Sequence, residues 1–261
     1  MCYLTMAEHV NLSVRQDEMR ARIVLNSPKG NVLTTAVAQA IRTKLALLNE
    51  VMSLRLVTVE GAGRDFSFGA SIQEHASDRV ERMLPEMNGM IRDLLDVPVP
   101  TAAVVKGRCL GAGFELALAC DFIFAADDAV LGLPEVRLAA FPPAASALLP
   151  MRLGYARATD AILTGEAHSG AEWHAAGLVA QVFALDQIDA EVEAWFDRNL
   201  SGRSASGLRH AVAASRLGLR KHVAQVLPVL ERLYLNELMQ TADVNEAVTA
   251  FLGKRAPNWT D

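Results

Sequence analysis

The segment Gly107-Arg-Cys-Leu-Gly-Ala-Gly-Phe-Glu-Leu-Ala-Leu-Ala-Cys-Asp121 decides the fold of this chain. It follows an apolar run at residues 100–105 that predicts a buried strand, and it ends in an Ala/Leu-rich run that predicts a helix. Gly111 and Gly113 stand where the strand must become the helix, and such a turn exposes helical N–H groups that have no intrahelical acceptor. These donors suit an oxygen that gains negative charge during a reaction. Glu115, inside this helix start, is either a structural carboxylate with satisfied hydrogen bonds or a catalytic one.

The composition is that of a globular protein with an aliphatic core: 261 residues, 51% hydrophobic and 21% charged. The net charge of −5 and the lack of a Lys/Arg cluster argue against nucleic acid and anionic membranes as partners. No apolar run is long enough to span a bilayer and no signal-peptide pattern is present, so we expect a cytoplasmic protein. The three cysteines, Cys2, Cys109 and Cys120, lack metal-binding spacing, and a catalytic Cys109 is the less favoured alternative.

Strand and helix patterns alternate through the first two-thirds of the chain. Alternating runs at 9–15 and 20–25 predict a strand hairpin, and a helix capped by Thr34 or Thr35 and a strand at 54–59 follow. Helical periodicity alone occupies the last third. This order predicts an α/β core followed by a helical tail.

Two glycine-rich turns and two carboxylates could carry chemistry. Neither Gly61-Ala-Gly63 nor Gly111-Ala-Gly113 is followed by the third glycine of a dinucleotide-binding fingerprint. Gly69 lies at a further turn that could present a backbone N–H, and two such N–H groups aimed at one carbonyl oxygen form an oxyanion hole. Glu115 and Glu135 lie on different elements and could supply a general acid and a general base.

Several motifs resemble those of the crotonase superfamily, the enoyl-CoA hydratase/isomerase group, in the same order and at matching separations. In chain order they are Phe66-Ser-Phe-Gly-Ala-Ser-Ile72, Gly107-Arg-Cys-Leu-Gly-Ala-Gly-Phe-Glu115, Leu131-Gly-Leu-Pro-Glu135, Leu163-Thr-Gly165, Gly177-Leu-Val179 and Ala250-Phe-Leu-Gly-Lys-Arg-Ala-Pro-Asn-Trp259. The resemblance covers essentially the whole chain. It implies an α/β fold: a spiral of ββα repeats over residues 1–200, carrying the CoA and acyl sites, and a C-terminal helical trimerisation region over residues 201–261. The implied assembly is a homotrimer or a dimer of trimers.

The same resemblance implies the roles of individual residues. The backbone N–H groups of Phe68 and Ala112 would polarise the thioester carbonyl, and Glu115 and Glu135 would hold a water molecule between them. The residues implied to bind the acyl-CoA are Ser67, Gly69, Ala70, Ile72, Gly111, Phe251 and Lys254, the last two reaching CoA from the C-terminal helices, in one reading across a subunit boundary. No metal and no cofactor is implied, because coenzyme A is part of the substrate.

The chain departs from the family pattern around the expected acyl pocket. Ser71 replaces the usual Asp, and residues 139–150 replace a Gly-rich run, so we expect a non-standard acyl group. Segments 67–75, 141–146 and 234–239 are similar to hydratases of cyclohexa-1,5-dienecarbonyl-CoA. This similarity implies a hydro-lyase that adds water across a cyclic dienoyl-CoA in anaerobic aromatic degradation, forming 6-hydroxycyclohex-1-ene-1-carbonyl-CoA.

Other functions of the same superfamily stay open. One is a generic enoyl-CoA hydratase of fatty-acid β-oxidation, and another is a crotonase-fold isomerase or hydrolase, which needs only part of the site. A non-catalytic or RNA-associated member is disfavoured by the negative charge and by the presence of both glutamates. His75 either lines the edge of the site or lies in a solvated helix start, the second being the favoured interpretation.

Overall fold

The computed structural model describes residues 9–75 and 79–260, so Cys2 lies outside the described residues. The strands in these ranges are β1 (Val10–Val14), β2 (Arg20–Leu25), β3 (Leu56–Gly61), β4 (Thr101–Val105), β5 (Arg108–Leu110), β6 (Phe122–Ala126), β7 (Val130–Gly132), β8 (Ala167–Ser169) and β9 (Gln181–Phe183). The helices are α1 (Pro28–Asn31), α2 (Thr35–Leu48), α3 (Val80–Asp96), α4 (Ala112–Leu118), α5 (Pro143–Leu153), α6 (Tyr155–Thr164), α7 (Gly170–Ala175), α8 (Ile188–Phe196), α9 (Ala205–Asn236) and α10 (Ala242–Leu252). Short helical turns lie at Ile72–His75, Pro134–Leu138, Asp197–Ser201 and Leu238–Gln240.

The larger sheet has the order β1-β2-β3-β4-β6-β9. The predicted hairpin β1–β2 is antiparallel, and every other pair in this sheet is parallel. All five residues of β4 are buried, as are the first five of β3. Strands covered on both faces read as continuous apolar runs, which is the pattern that predicted them. The α/β core expected from the sequence is confirmed.

A second sheet of three short strands, β5-β7-β8, stands beside the first. Its strand β5 lies where the sequence predicted only a turn, so that part of the prediction was wrong. Three residues are too few to show a strand period, and β5 is held by its pairing with β7. The chain leaves β5 at Gly111, whose N–H donates to the carbonyl of Gly132 on β7 (2.9 Å). This bond fixes where α4 begins.

The helical tail is tied to the core through a buried arginine. Arg216 on α9 is 3% exposed and donates to both carboxylate oxygens of Asp121. It also donates to the carbonyl of Leu95 in the last turn of α3, and to the carbonyls of Val97 and Val99, which lead into β4. One side chain thus joins α9 to the end of α3 and to the start of β6. Among the described helices, none has the length and apolar character that crossing a membrane requires.

Candidate active site

Glu115 lies in the first turn of α4, where the Gly111 turn carries it into the interior. It is 7% exposed, and its Oε1 accepts a hydrogen bond from the N–H of Ala145 (2.9 Å). Ala145 belongs to the first turn of α5, which begins with Pro143. The first N–H groups of a helix lack intrahelical acceptors and favour an anion. The start of α5 therefore stabilises the charged form of Glu115.

Glu135 reaches the same place from another element, the short helix that begins at Pro134. Its Oε1 lies against Gly111, since a Cβ added to Gly111 would be only 2.8 Å from that oxygen. Gly111 also has φ 53° and ψ −127°, a conformation that residues with a Cβ rarely adopt. Glycine is thus required at position 111 for two reasons. Glu135 Oε2 is buried and has no hydrogen-bond partner among the described residues.

The two carboxylates titrate as a pair with raised pKa values. Burial raises the pKa of Glu115, and the N–H groups of Ala144 and Ala145 partly offset that rise. Burial raises the pKa of Glu135 as well, and the negative charge of Glu115 raises it further. Since only Glu115 receives helix amides, we infer that a proton shared by the pair rests on Glu135. One group is then a base and the other an acid near neutral pH.

The two backbone N–H groups predicted to form the oxyanion hole differ in their hydrogen bonding. The N–H of Ala112, at the start of α4, has no hydrogen-bond acceptor among the described residues. The N–H of Phe68 donates to the carbonyl of Gly30 (2.9 Å), so it is already occupied. The two turns touch, because a Cβ added to Gly69 would lie 3.4 Å from the nitrogen of Ala112.

A cavity that opens to solvent, with about 1000 Å³ of empty space including its mouth, connects these groups. Both glutamates line it, together with residues of α3, residues 138–143, and side chains of α9 and α10. The predicted site residues that line it are Phe68, Gly69, Ala70, Ile72, Gly111, Ala112, Glu115 and Glu135. Those that lie outside its lining are Ser67, Phe251 and Lys254. The sequence thus predicted the end of the cavity that holds both glutamates.

The comparisons with known proteins agree with this geometry. The profile described as enoyl-CoA hydratase/isomerase matches residues 16–261. The chain belongs to the enoyl-CoA hydratase/isomerase family. It is 42% identical over 246 residues to the cyclohexa-1,5-dienecarbonyl-CoA hydratase of Thauera aromatica, covering 94% of this chain and 95% of that one. The predicted crotonase-type fold and hydro-lyase class are confirmed.

Solved structures show the same fold. The crystal structure of an enoyl-CoA hydratase from Mycobacterium avium subsp. paratuberculosis K-10 superposes with a TM-score of 0.86 at 30% identity, covering 97% of this chain and 99% of that one. An enoyl-CoA hydratase from Bacillus anthracis superposes with a TM-score of 0.77 at 28% identity, covering 97% and 99%. The enoyl-CoA hydratase/isomerase fold therefore extends over nearly the whole chain.

Three residues that were predicted to bind the acyl-CoA, Ser67, Phe251 and Lys254, do not line the cavity of their own chain. The side chain of Ser67 is fully buried, donates to the carbonyl of Asn31 (2.8 Å) and accepts from the N–H of Gly69 (3.1 Å), so it holds the loop in shape. Phe251 is 52% exposed on α10, and Lys254 is exposed just beyond it. A role for Phe251 and Lys254 at a neighbouring subunit's site stays a prediction.

Sequence reasoning missed several residues that line the cavity. For His75 the less favoured interpretation is the correct one: it lines the cavity, with Nδ1 bonded to the carbonyl of Ser71 (2.9 Å). Burial lowers the pKa of His75, so its ring is neutral. Tyr234 and the methionines of α3 were not predicted to reach the site, since their spacing is that of ordinary core positions. The sequence carries no local signal for the methionines. For Tyr234 the one signal is that it begins segment 234–239, which resembles the hydratases of cyclohexa-1,5-dienecarbonyl-CoA.

The alternative of a catalytic Cys109 is wrong. The thiol is fully buried on β5, and burial raises its pKa well above the usual range. A reactive cysteine needs thiolate character and access to the substrate. No cluster of three or more His, Cys, Asp or Glu side chains within residues 9–75 and 79–260 has the arrangement of a metal site.

Proposed function

We propose that this protein adds water to a cyclic dienoyl-CoA, converting cyclohexa-1,5-diene-1-carbonyl-CoA to 6-hydroxycyclohex-1-ene-1-carbonyl-CoA in anaerobic aromatic degradation. The observation that carries the proposal is the buried pair Glu115 and Glu135, which line one cavity from two separate elements. The named function of the relative from Thauera aromatica supports the cyclic acyl group. The ring of Phe141, with Pro142 and Pro143 beside it, gives the cavity a rigid wall suited to a flat ring.

The different environments of the two glutamates divide the work between them. Glu115, stabilised as an anion by the start of α5, takes a proton from water while the water oxygen bonds to the β-carbon. The electron pair of the broken double bond moves toward the thioester oxygen and forms a dienolate. Glu135 then gives its proton to the carbon at the far end of the dienolate. Proton transfer from Glu115 to Glu135 restores the starting state.

The negative charge on the thioester oxygen requires hydrogen-bond donors. Ala112 offers an unpaired N–H at the start of α4. For Phe68 to contribute, the substrate oxygen must share its N–H with the carbonyl of Gly30 or displace that carbonyl. Removing one donor of this kind costs about 3–4 kcal/mol of transition-state stabilisation in other enzymes, so both donors matter to the rate.

The test is hydration of the cyclic dienoyl-CoA and of crotonyl-CoA by the purified protein. We expect turnover of the cyclic substrate and a loss of about 100-fold or more in kcat for Glu115→Gln and for Glu135→Gln. Glu166→Gln is the matched control, because Glu166 is exposed and outside the cavity. Turnover of crotonyl-CoA alone would exclude the cyclic substrate. Near wild-type rates in both cavity variants would exclude the glutamate mechanism.

A linear enoyl-CoA is the second candidate, and the composition of the cavity favours it in one respect. Met83, Met87 and Met90 of α3 line the cavity, and unbranched thioether side chains adapt to acyl chains of irregular shape. The same pair of assays separates the two substrates.

The proposed assembly is a homotrimer or a dimer of trimers in the cytoplasm, in which Phe251 and Lys254 contact the CoA of a neighbouring subunit. Phe251 and Leu252, both more than half exposed, suit burial against another chain. Light scattering coupled to gel filtration measures the mass, and a monomer would exclude this arrangement.

A further inference from the structure

Tyr234 is a buried polar side chain of the cavity to which the hydration steps above assign no role. It lies on α9 two residues before the end of that helix and is 3% exposed. Its ring meets the ring of Phe141 edge to face, with 5.3 Å between centroids. Both rings line the cavity that holds Glu115 and Glu135. A tyrosine from the helical tail therefore contributes to the acyl pocket.

The hydroxyl of Tyr234 is free to bind a ligand. It has no hydrogen-bond partner among residues 9–75 and 79–260, although buried tyrosine hydroxyls usually have one. The hydroxyl oxygen is also not fully enclosed by the described residues, because it is absent from their buried polar atoms without a partner. It is therefore accessible from the cavity. Burial and the charges of Glu135 and Glu115 raise the pKa of Tyr234, so the hydroxyl keeps its proton. It is a neutral donor in the cavity that both carboxylates line.

Such a donor complements the oxygen that the reaction adds. In the steps above Glu115 is ionised and accepts a hydrogen bond from the attacking water, while Glu135 keeps its proton for carbon. A neutral hydroxyl can donate a further hydrogen bond to the oxygen of that water. After attack, the same oxygen is the hydroxyl of the product, and it still lies beside the pair.

We propose that Tyr234 binds the reacting oxygen: its hydroxyl donates a hydrogen bond to the attacking water and then to the product hydroxyl, while its ring and Phe141 hold the acyl group. This inference rests on the proposed hydration. Tyr234 transfers no proton itself. It fixes the water on the side of the acyl group that faces Glu115, and it adds affinity for a hydroxylated acyl-CoA.

The variant Tyr234→Phe removes only the oxygen and keeps the contact with Phe141. We expect kcat to fall about 5- to 10-fold, the effect of one net hydrogen bond, with KM changed less than twofold. Tyr155→Phe is the matched control, because Tyr155 is 79% exposed and outside the cavity. Its rate should equal that of the wild type.

Calorimetric titration gives a readout that a purely structural role would not produce. Tyr234→Phe should bind the hydroxyacyl-CoA product about 5- to 10-fold more weakly and bind the saturated acyl-CoA, which has no hydroxyl, with unchanged affinity. Equal weakening of both ligands, or no change in either kcat or product affinity, would overturn the assignment. A wild-type protein that hydrates no enoyl-CoA would instead refute the proposed function, which separates the two failures.

Discussion

Replacing Gly111 by alanine tests whether Glu135 lies where the structure has it. The new Cβ would come within 2.8 Å of Glu135 Oε1, whereas ordinary contacts begin at 3.4 Å. The carboxylate must therefore retreat by about 0.6 Å, and since a misplacement of about 1 Å at a catalytic centre can cost about 100-fold, we expect kcat to fall about 10-fold or more. The unfavourable φ of 53° adds a stability cost of about 1–3 kcal/mol.

Gly154→Ala separates these two effects. Gly154 lies between α5 and α6 with φ 80° and ψ 162°, a conformation that also favours glycine, but a Cβ there meets nothing within 4 Å. Both variants should lose similar stability in urea unfolding, and only Gly111→Ala should lose activity in a hydration assay. If the two variants retain equal kcat, Glu135 is not held against Gly111 in the working enzyme, and the reasoning fails.

Two further predictions concern stability. Folding raises the pKa of Glu135, so the folded protein binds that proton more tightly than the unfolded chain, and the free energy of unfolding falls as pH rises above about 5. Glu135→Gln removes this pH-dependent cost. In urea unfolding, its effect on the free energy of unfolding should be more stabilising at pH 8 than at pH 5, by about 1.4 kcal/mol or more. An equal effect at both pH values would contradict the raised pKa of Glu135 as the cause. Arg216→Leu takes the cationic partner from Asp121, which keeps its hydrogen bonds from Thr101, and takes the arginine donor from three backbone carbonyls; it should cost about 3–5 kcal/mol. Arg220→Leu, which breaks an exposed pair with Asp96, should cost less than about 1 kcal/mol in the same measurement.

The sequence contained enough to predict that Glu115 and Glu135 share one cavity. Gly111 and Glu115 belong to one continuous strand-turn-helix segment, so local pattern and turn chemistry were sufficient to predict their arrangement. Glu135 follows Pro134 in a short motif that could be recognised by its resemblance to the family. What local pattern alone could not show is that Gly111 and Glu135 touch. That contact depends on the pairing of β5 with β7, two three-residue strands held only by tertiary structure.

The far wall of the cavity was not predictable for a related reason. Tyr234 and Met87 lie in helices whose apolar residues repeat at ordinary core spacing, and nothing in that spacing distinguishes a core position from one that faces a cavity. Their positions depend on how the helical tail packs against the core. The bond from Arg216 to Asp121 fixes that packing, and these two residues are 95 positions apart in the sequence. The expected boundary at residue 200 stays a prediction, although the cavity takes side chains from both sides of it.

The buried glutamate pair shows how the fold sets the chemistry. If Glu115 and Glu135 had equivalent surroundings, the shared proton would rest on either of them and neither would have a fixed role. In the described part of the chain the start of α5 donates to Glu115, whereas Glu135 Oε2 is buried with no donor, so the asymmetry comes from the backbone. Because α5 begins with prolines that fix its first turn, the amide of Ala145 is positioned before the substrate arrives. The buried carboxylate oxygen that lowers the stability of the folded protein is therefore the same feature that keeps Glu135 protonated, as the proposed proton transfer to carbon requires.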